Sequence, residues 1–195
     1  EWTGYEVFGE GGSTFVMEST GGEELYLELG SEYMEPMDAR LSPSGDSLWI
    51  LMGQLGDGKV EALEYSFPSL SLERYAVHPY GILAGDIVLS PQGSPLIAGR
   101  YVKVMDVYIG MLPMYEDEAD FSGETLHIDM DEYEYQEDNP VARIADGYYC
   151  LGADGGRFIL LHGYDLEHMD GYVYVFDTGT GELYEVSPGL PRGWS

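Results

Sequence analysis

Hydrophobic and polar residues alternate with a period of two most clearly at residues 25–29 and 125–130, and aromatic residues alternate with valines at residues 172–176. Successive side chains of a β-strand point to opposite faces, so this alternation predicts strands with one buried face. Residues 172–176 are apolar at every position, which predicts a strand lying between two layers. No stretch combines a 3.6-residue apolar period with capping residues, and we therefore expect little or no helix.

Tight-turn sequences precede apolar runs at three places, which predicts a repeated structural unit. The turns are residues 41–46, 89–94 and 151–156, and the apolar runs are residues 48–52, 96–98 and 158–161. Grouping the strands around these corners gives four approximate repeat units, 5–36, 37–77, 80–130 and 141–188, within a single domain of residues 1–195.

Two phrases of the sequence resemble the blade pattern of β-propellers of the WD-repeat and TolB-like kind. They are Ser42-Pro43-Ser44-Gly45-Asp46 before a hydrophobic strand, and YVYVFDTGTGELYEV at residues 172–186. The resemblance implies that the first phrase joins the first two strands of a blade and that the second spans its third and fourth strands. We therefore expect an all-β fold, a small or partial β-propeller of about four blades of antiparallel strands.

The chain departs from the family pattern in two respects. It lacks Trp-Asp blade ends, and its repeats are unequal in length. With Gly12, Gly45, Gly93 and Gly155 as markers of equivalent corners, the steps are 33, 48 and 62 residues.

The charge of the chain limits its partners. Asp and Glu number 36 against 8 Lys and Arg, a net charge of −28. Such a surface repels phosphate backbones and anionic membranes, so we expect no nucleic-acid binding. No apolar run approaches the roughly 20 residues that cross a bilayer, and we expect no membrane insertion. Cations, basic protein patches and neutral sugars remain as partners, with solubility as the simpler explanation of the charge.

Cys150 is the single cysteine and lies in an apolar run, which predicts a small buried core residue. One cysteine excludes an internal disulfide framework and leaves the redox compartment open. The sequence begins at Glu1 without a basic leader, so we expect a trimmed chain and a secreted or cell-surface location.

The segment 116–138 is an acidic insertion in the third repeat unit, with 11 acidic residues and no Lys or Arg. Insertions in repeat folds project as loops, often on the binding face. The candidate binding residues are Tyr115, Glu116, Asp117, Asp120, Asp129, Asp131, Tyr133 and Glu134.

Among these residues, Asp129, Asp131 and Glu134 offer hard oxygen ligands that suit Ca²⁺. The EF-hand pattern fails, because Glu134 stands where Gly is required and Pro140 stands at the last ligand position. A solvated, self-repelling loop is the alternative interpretation.

Two further patterns leave alternatives open. His162 and His168 flank two carboxylates, which suggests zinc, but their spacing matches no compact site, and we expect His162 to end a core strand. Several tyrosines lie in turns or polar surroundings and offer either a sugar-stacking platform or ordinary packing. They are Tyr33, Tyr80, Tyr115, Tyr133, Tyr135 and Tyr164.

No nucleophile elbow, dinucleotide-binding glycine motif or phosphate-binding loop is present in the sequence. The leading expectation is a non-enzymatic binding module that presents a rigid acidic face to a protein or glycan. A carbohydrate-active or metal-dependent enzyme domain that uses surface carboxylates is the alternative, because a catalytic pair can be hidden among 36 acids.

Overall fold

The computed structural model describes residues 2–9, 12–29, 34–54, 59–78, 81–103, 106–115, 123–129, 149–153, 157–165 and 170–188. These residues form fifteen strands in four antiparallel sheets and contain no helix, which confirms the predicted all-β class with four sheets. In these ranges no helix has the length and apolar character needed to cross a bilayer. The chain divides into two compact units, Glu1–His78 and Pro79–Ser195.

The first unit contains two sheets, in which each strand pairs with the next one along the chain. Sheet A consists of β1 (Trp2–Gly9), β2 (Gly12–Ser19) and β3 (Glu24–Glu28), in that order. Sheet B consists of β4 (Met34–Leu41), β5 (Ser47–Gln54), β6 (Val60–Ser66) and β7 (Leu72–His78).

The second unit also contains two sheets of sequential strands. Sheet C consists of β8 (Gly81–Leu89), β9 (Pro95–Lys103), β10 (Asp106–Pro113) and β11 (Leu126–Asp129). Sheet D consists of β12 (Tyr149–Ala153), β13 (Phe158–Asp165), β14 (Asp170–Asp177) and β15 (Glu182–Pro188).

The core of each unit lies between its two sheets. In the first unit, Phe15 and Met17 of sheet A pack with Leu48, Ile50 and Met52 of sheet B. Because β5 is buried at every position from residue 48 to residue 52, it reads as a continuous apolar run rather than an alternation.

The core of the second unit joins Ile109 and Met111 of sheet C to Leu161, Tyr174 and Phe176 of sheet D. Tyr174 and Phe176 lie on the buried face of β14, and the adjacent residues Val173 and Val175 are half-buried. Residues 172–176 therefore form a strand as predicted, in the interior of sheet D between β13 and β15, and its position between two layers stays a prediction.

The turn between the first two strands of sheet B and the turn between the first two strands of sheet C are both stabilised by a serine hydroxyl group. The Ser42 hydroxyl oxygen accepts hydrogen bonds from the backbone N–H groups of Asp46 (3.1 Å) and Ser47 (3.0 Å). The Ser90 hydroxyl oxygen accepts one from the N–H of Ser94 at 3.0 Å. Both turns need a glycine, because Gly45 and Gly93 have φ angles of 74° and 82°. The prediction that these phrases join the first two strands of a sheet is confirmed.

The turn that closes sheet D recurs in sheet A. Thr180-Gly181 followed by Glu182-Leu183-Tyr184 leads into β15, and Thr20-Gly21-Gly22 with Glu24-Leu25-Tyr26 leads into β3. The three strands of sheet A therefore correspond to the last three strands of sheets B, C and D. Gly12 begins the second strand of sheet A, so it does not mark the same corner as Gly45 and Gly93.

Candidate functional site

The structure describes two of the eight predicted binding residues, one after the end of β10 and one at the end of β11. Tyr115 follows β10 and is half-buried. Asp129 is the last residue of β11 and occupies the position paired with Asp106 of β10. The other six residues, Glu116, Asp117, Asp120, Asp131, Tyr133 and Glu134, lie outside the described residues.

The side chains of Asp106, Tyr108 and His127 form a cluster next to the backbone position of Asp129. The His127 Nε2 atom lies 3.1 Å from the Asp106 Oδ1 atom, and both side chains are partly exposed. The rings of Tyr108 and His127 stack, with centroids 4.6 Å apart and planes 14° from parallel. The Tyr108 hydroxyl group also donates a hydrogen bond of 3.4 Å to Asp106. We call Asp106, Tyr108, His127 and Asp129 the β10–β11 surface.

The β10–β11 surface lies at the edge of sheet C, because β11 is the outermost strand of that sheet. Two acidic residues, Asp106 and Asp129, occupy paired positions on it. Like charges at paired positions of neighbouring strands weaken strand pairing.

A calcium site remains a prediction. Of its proposed ligands, only the backbone of Asp129 is described, and Asp131 and Glu134 lie outside the described residues. Among the side chains that the structure does describe, no three His, Cys, Asp or Glu residues come together as metal ligands.

Exposed tyrosines stand beside carboxylates on the outer strands of sheets A and D. The hydroxyl group of Tyr26 on β3 donates to Glu24, and that of Tyr184 on β15 donates to Glu182. Tyr26 is 60% exposed and Tyr184 is 47% exposed, so both rings are open to solvent. The hydrogen bond to Glu182 raises the pKa of Tyr184, because the neighbouring carboxylate disfavours a phenolate.

Sheet B carries a related pair across two strands. The Tyr75 hydroxyl group on β7 donates to Glu61 on β6 at 2.9 Å. Partial desolvation and this hydrogen bond to Glu61 raise the pKa of Tyr75. Tyr75 is 54% exposed, so its ring, like those of Tyr26 and Tyr184, faces solvent next to a carboxylate.

Sequence reasoning placed the exposed tyrosines in turns and missed these three. Among the tyrosines that it named, Tyr115 is half-buried, Tyr164 lies in β13, and the rest lie outside the described residues. For Tyr26 and Tyr184 the signal that was available is the repeated Glu-Leu-Tyr phrase, which Tyr75 does not share. Its leucine packs on the core, so its glutamate and tyrosine share the opposite, outward face of the strand.

His162 lies within β13, opposite Tyr149 of β12, and is buried. Burial lowers its pKa, because the imidazolium form loses hydration. Since β13 continues to Asp165, the histidine does not end the strand as predicted. His168, the other predicted zinc ligand, lies outside the described residues.

No protein-family model and no curated protein matches the chain. Among solved structures, it is similar to one from a structural and mechanistic analysis of two prolyl endopeptidases. The TM-score is 0.54 at 7% identity, over 97% of this chain and 30% of that one. The β-propeller domain of the Trilobed protease from Pyrococcus furiosus matches with a TM-score of 0.49 at 10% identity, over 97% of this chain and 54% of that one.

The chain has an all-β fold of the propeller type. Each of its four sheets is a blade of antiparallel strands. At 7% identity the likeness to the prolyl endopeptidase structure concerns the fold alone. The chain spans less than a third of that protein and about half of the trilobed protease domain.

Proposed function

We propose that this protein is a non-enzymatic binding module, secreted or at the cell surface, that presents a rigid acidic face to a basic protein. The observation that carries the proposal is the placing of exposed tyrosine rings beside carboxylates on the outer strands, in a chain of net charge −28. A tyrosine ring offers apolar contact area at low entropic cost, and the carboxylates beside it attract Lys and Arg.

The β10–β11 surface and the acidic segment that adjoins it form the proposed contact region. The residues of this region that the sequence predicts are Tyr115, Glu116, Asp117, Asp120, Asp129, Asp131, Tyr133 and Glu134. The paired positions of Asp106 and Asp129 support this choice, since a bound cationic group would offset their repulsion. Long-range steering by the whole negative surface would also speed encounter with a basic partner.

The finer assignments belong to the same proposal. The Ser-Pro-Ser-Gly-Asp corner supports a blade of the WD-repeat or TolB-like kind, and the oxygen-rich segment supports Ca²⁺ as the cation, if one is held. Glycans are the other ligand class, because sugar rings stack on tyrosines beside carboxylates.

The test is binding to an immobilised oligolysine peptide at increasing salt concentration. We expect the affinity to fall steeply between low and physiological salt, because counter-ions screen exposed charges beyond about 8 Å at physiological ionic strength. Affinity that is indifferent to salt would contradict the electrostatic mechanism.

A matched pair of variants locates the contact region. One variant neutralises Glu116, Asp117 and Asp120, and the other neutralises Glu18, Glu23 and Glu28, which are exposed carboxylates of sheet A and its β2–β3 turn. Both change the net charge equally, so a greater loss of affinity in the first supports the proposed region. Equal losses mean that the peptide binds by net charge alone.

The enzyme alternative is tested with the same protein. Added calcium or zinc should raise the melting temperature if the native state holds a specific metal site. A rise that disappears when Asp129, Asp131 and Glu134 are neutralised supports the metal-dependent alternative, and no rise leaves the binding module as the better proposal.

A further inference from the structure

The first unit contains a pocket between sheet A and sheet B that the proposed function does not use. Its volume is about 380 Å³, within the range of pockets that hold small ligands or single large side chains. Strands β1 and β2 form one side of the pocket, and β4 and β5 form the other.

The pocket has a mixed lining, in which large apolar side chains stand beside the charged side chains of Asp38 and Arg40. Phe15, Met17 and Leu48 form the floor and are buried in the core, with exposures of 7%, 4% and 1%. Trp2 and Met37 form walls and are half-buried. The Trp2 ring is held edge-on against Phe67, with the ring centroids 5.2 Å apart, so one wall is fixed by an aromatic contact outside the pocket.

Met37 reaches the pocket because β4 has a bulge there. Pro36 pairs with Met52 and Asp38 pairs with Leu51, so Met37 is the extra residue between them. A bulge redirects the side chain of its extra residue, and such bulges concentrate next to functional sites. Gly53 leaves the space that Met37 fills, because a Cβ atom at Gly53 would lie 2.6 Å from the Met37 sulfur. The thioether side chain can adapt its shape to an occupant.

Asp38 and Arg40 add two charges to the pocket lining. The Arg40 Nε atom lies 3.4 Å from the Asp38 Oδ2 atom, and the two side chains are 51% and 21% exposed. Residues 1–78 contain 15 acidic residues and 3 basic ones, so the unit that holds this pair has a large net negative charge. A cationic ligand is therefore favoured over an anionic one.

We propose that this pocket receives one large apolar side chain from a basic protein partner, with a Lys or Arg on either side of it in the partner's sequence. Large buried side chains in central pockets carry most of the affinity of protein interfaces. The flanking cations would lie near Asp38, and one of them could stack on the Trp2 ring. The inference rests on the proposed function for the basic character of the partner, and adds to it an apolar anchor in the first unit.

The experiment is a titration of protein labelled with ¹³C at its methionine methyl groups. The probe is the capped tripeptide acetyl-Lys-Phe-Lys-amide, and the controls are acetyl-Lys-Gly-Lys-amide and acetyl-Glu-Phe-Glu-amide. We expect the first peptide to shift the methyl signals of Met17 and Met37, while the signals of Met111 and Met114, which lie in the second unit, stay in place. Equal shifts from the glycine peptide or from the acidic peptide would overturn the proposal.

Two variants that leave the apolar lining intact test the charge argument. Asp38→Asn should weaken binding of acetyl-Lys-Phe-Lys-amide by about two- to fivefold, the range of exposed ion pairs. Arg40→Gln should strengthen it by a similar factor, because it removes a like charge. Changes of the same sign in both variants would overturn the proposal.

A third variant, Ala39→Trp, fills the pocket from β4, and a retained fold is checked by its melting temperature. In a folded variant the Met17 and Met37 shifts should be lost, and their persistence would place the peptide elsewhere. Methyl shifts that appear on concentrating the protein without peptide, together with a dimer in sedimentation, would instead identify a second copy as the occupant and overturn the proposal.

These outcomes are separate from those of the proposed function. Salt-dependent oligolysine binding that depends on Glu116, Asp117 and Asp120 tests the acidic segment, whereas the methionine signals report the pocket alone. A failure of the pocket proposal is therefore distinguishable from a failure of the proposed function.

Discussion

The Arg157 Nη2 atom lies 3.2 Å from the Asp177 Oδ2 atom. This ion pair joins the start of β13 to the end of β14. The carboxylate is almost fully buried, with a side-chain exposure of 5% against 58% for the arginine. Asp177 also accepts a hydrogen bond of 2.8 Å from the N–H of Gly179. The Thr178 hydroxyl group donates to the carbonyl of Arg157 at 2.8 Å, so the turn that closes sheet D is fixed to the preceding hairpin.

We predict that Asp177→Asn lowers the stability of the protein at neutral pH and that the difference disappears in acid. The hydrogen bonds from Arg157 and from the N–H of Gly179 lower the pKa of Asp177 in the folded state. The carboxylate therefore stabilises the fold above the unfolded pKa of about 4, and this contribution is lost as the pH falls through the folded value. Thermal melting of both proteins between neutral and strongly acidic pH measures it.

The control for this variant is Glu73→Gln, which removes one exposed carboxylate of β7. Removing a negative charge from a chain of net charge −28 should, if anything, stabilise it. An Asp177→Asn protein as stable as Glu73→Gln at neutral pH would show that the Asp177 network adds nothing.

Protonation of His162 should destabilise the fold in mild acid. Burial lowers the pKa of His162, so the unfolded chain binds a proton more readily than the folded one. Stability then falls as the pH drops below the unfolded value of about 6.5, and the loss continues until the folded pKa is reached. In His162→Gln this part of the pH profile should flatten, as measured by urea unfolding.

The two serine turns provide a matched comparison. We predict that Ser42→Ala costs about 1–2 kcal/mol of unfolding free energy, because its buried hydroxyl group accepts from two backbone N–H groups and donates to the Asp46 carboxylate. Ser90→Ala should cost about 0.5–1 kcal/mol, because its hydroxyl group serves the N–H of Ser94 in an exposed turn. Urea denaturation measures both free energies. An equal cost for the two variants would contradict the role assigned to the additional hydrogen bonds of the Ser42 hydroxyl group.

Gly53→Ala should disturb the pocket more than the fold. The new methyl group would meet the sulfur of Met37, the flexible end of a side chain, so we expect a stability change below about 1 kcal/mol. The Met37 methyl signal should move, and shifts caused by acetyl-Lys-Phe-Lys-amide should shrink. The matched control is Gly21→Ala in the β2–β3 turn, where the nearest atom is 3.5 Å away. An unmoved Met37 signal would contradict the packing of Met37 over Gly53.

The sequence predicted the strands well where one physical signal was sufficient. The alternation of Leu27 with its exposed neighbours, and the apolar run that contains Tyr174 and Phe176, follow from which faces are buried, and both are strands in the structure. The corners at Gly45 and Gly93 were recognisable because only glycine adopts their positive φ angles easily.

The candidate surfaces were harder to predict. Tyr26 and Tyr184 alternate with core leucines, and a period of two does not say whether the polar face meets solvent or another layer. The pocket was not predicted at all. It depends on a bulge at Met37 and on the approach of two sheets that are joined through residues distant in sequence.

The sequence by itself determined the all-β class, the corner turns and the large negative charge, because periodicity, glycine geometry and ionisation are local properties of residues. The tertiary structure alone decided that sheet A has three strands, that Asp177 meets Arg157, and that Trp2, Met17 and Met37 line one pocket. These features depend on strand register and on the packing of one sheet against another, and neighbouring residues in the sequence carry no record of either.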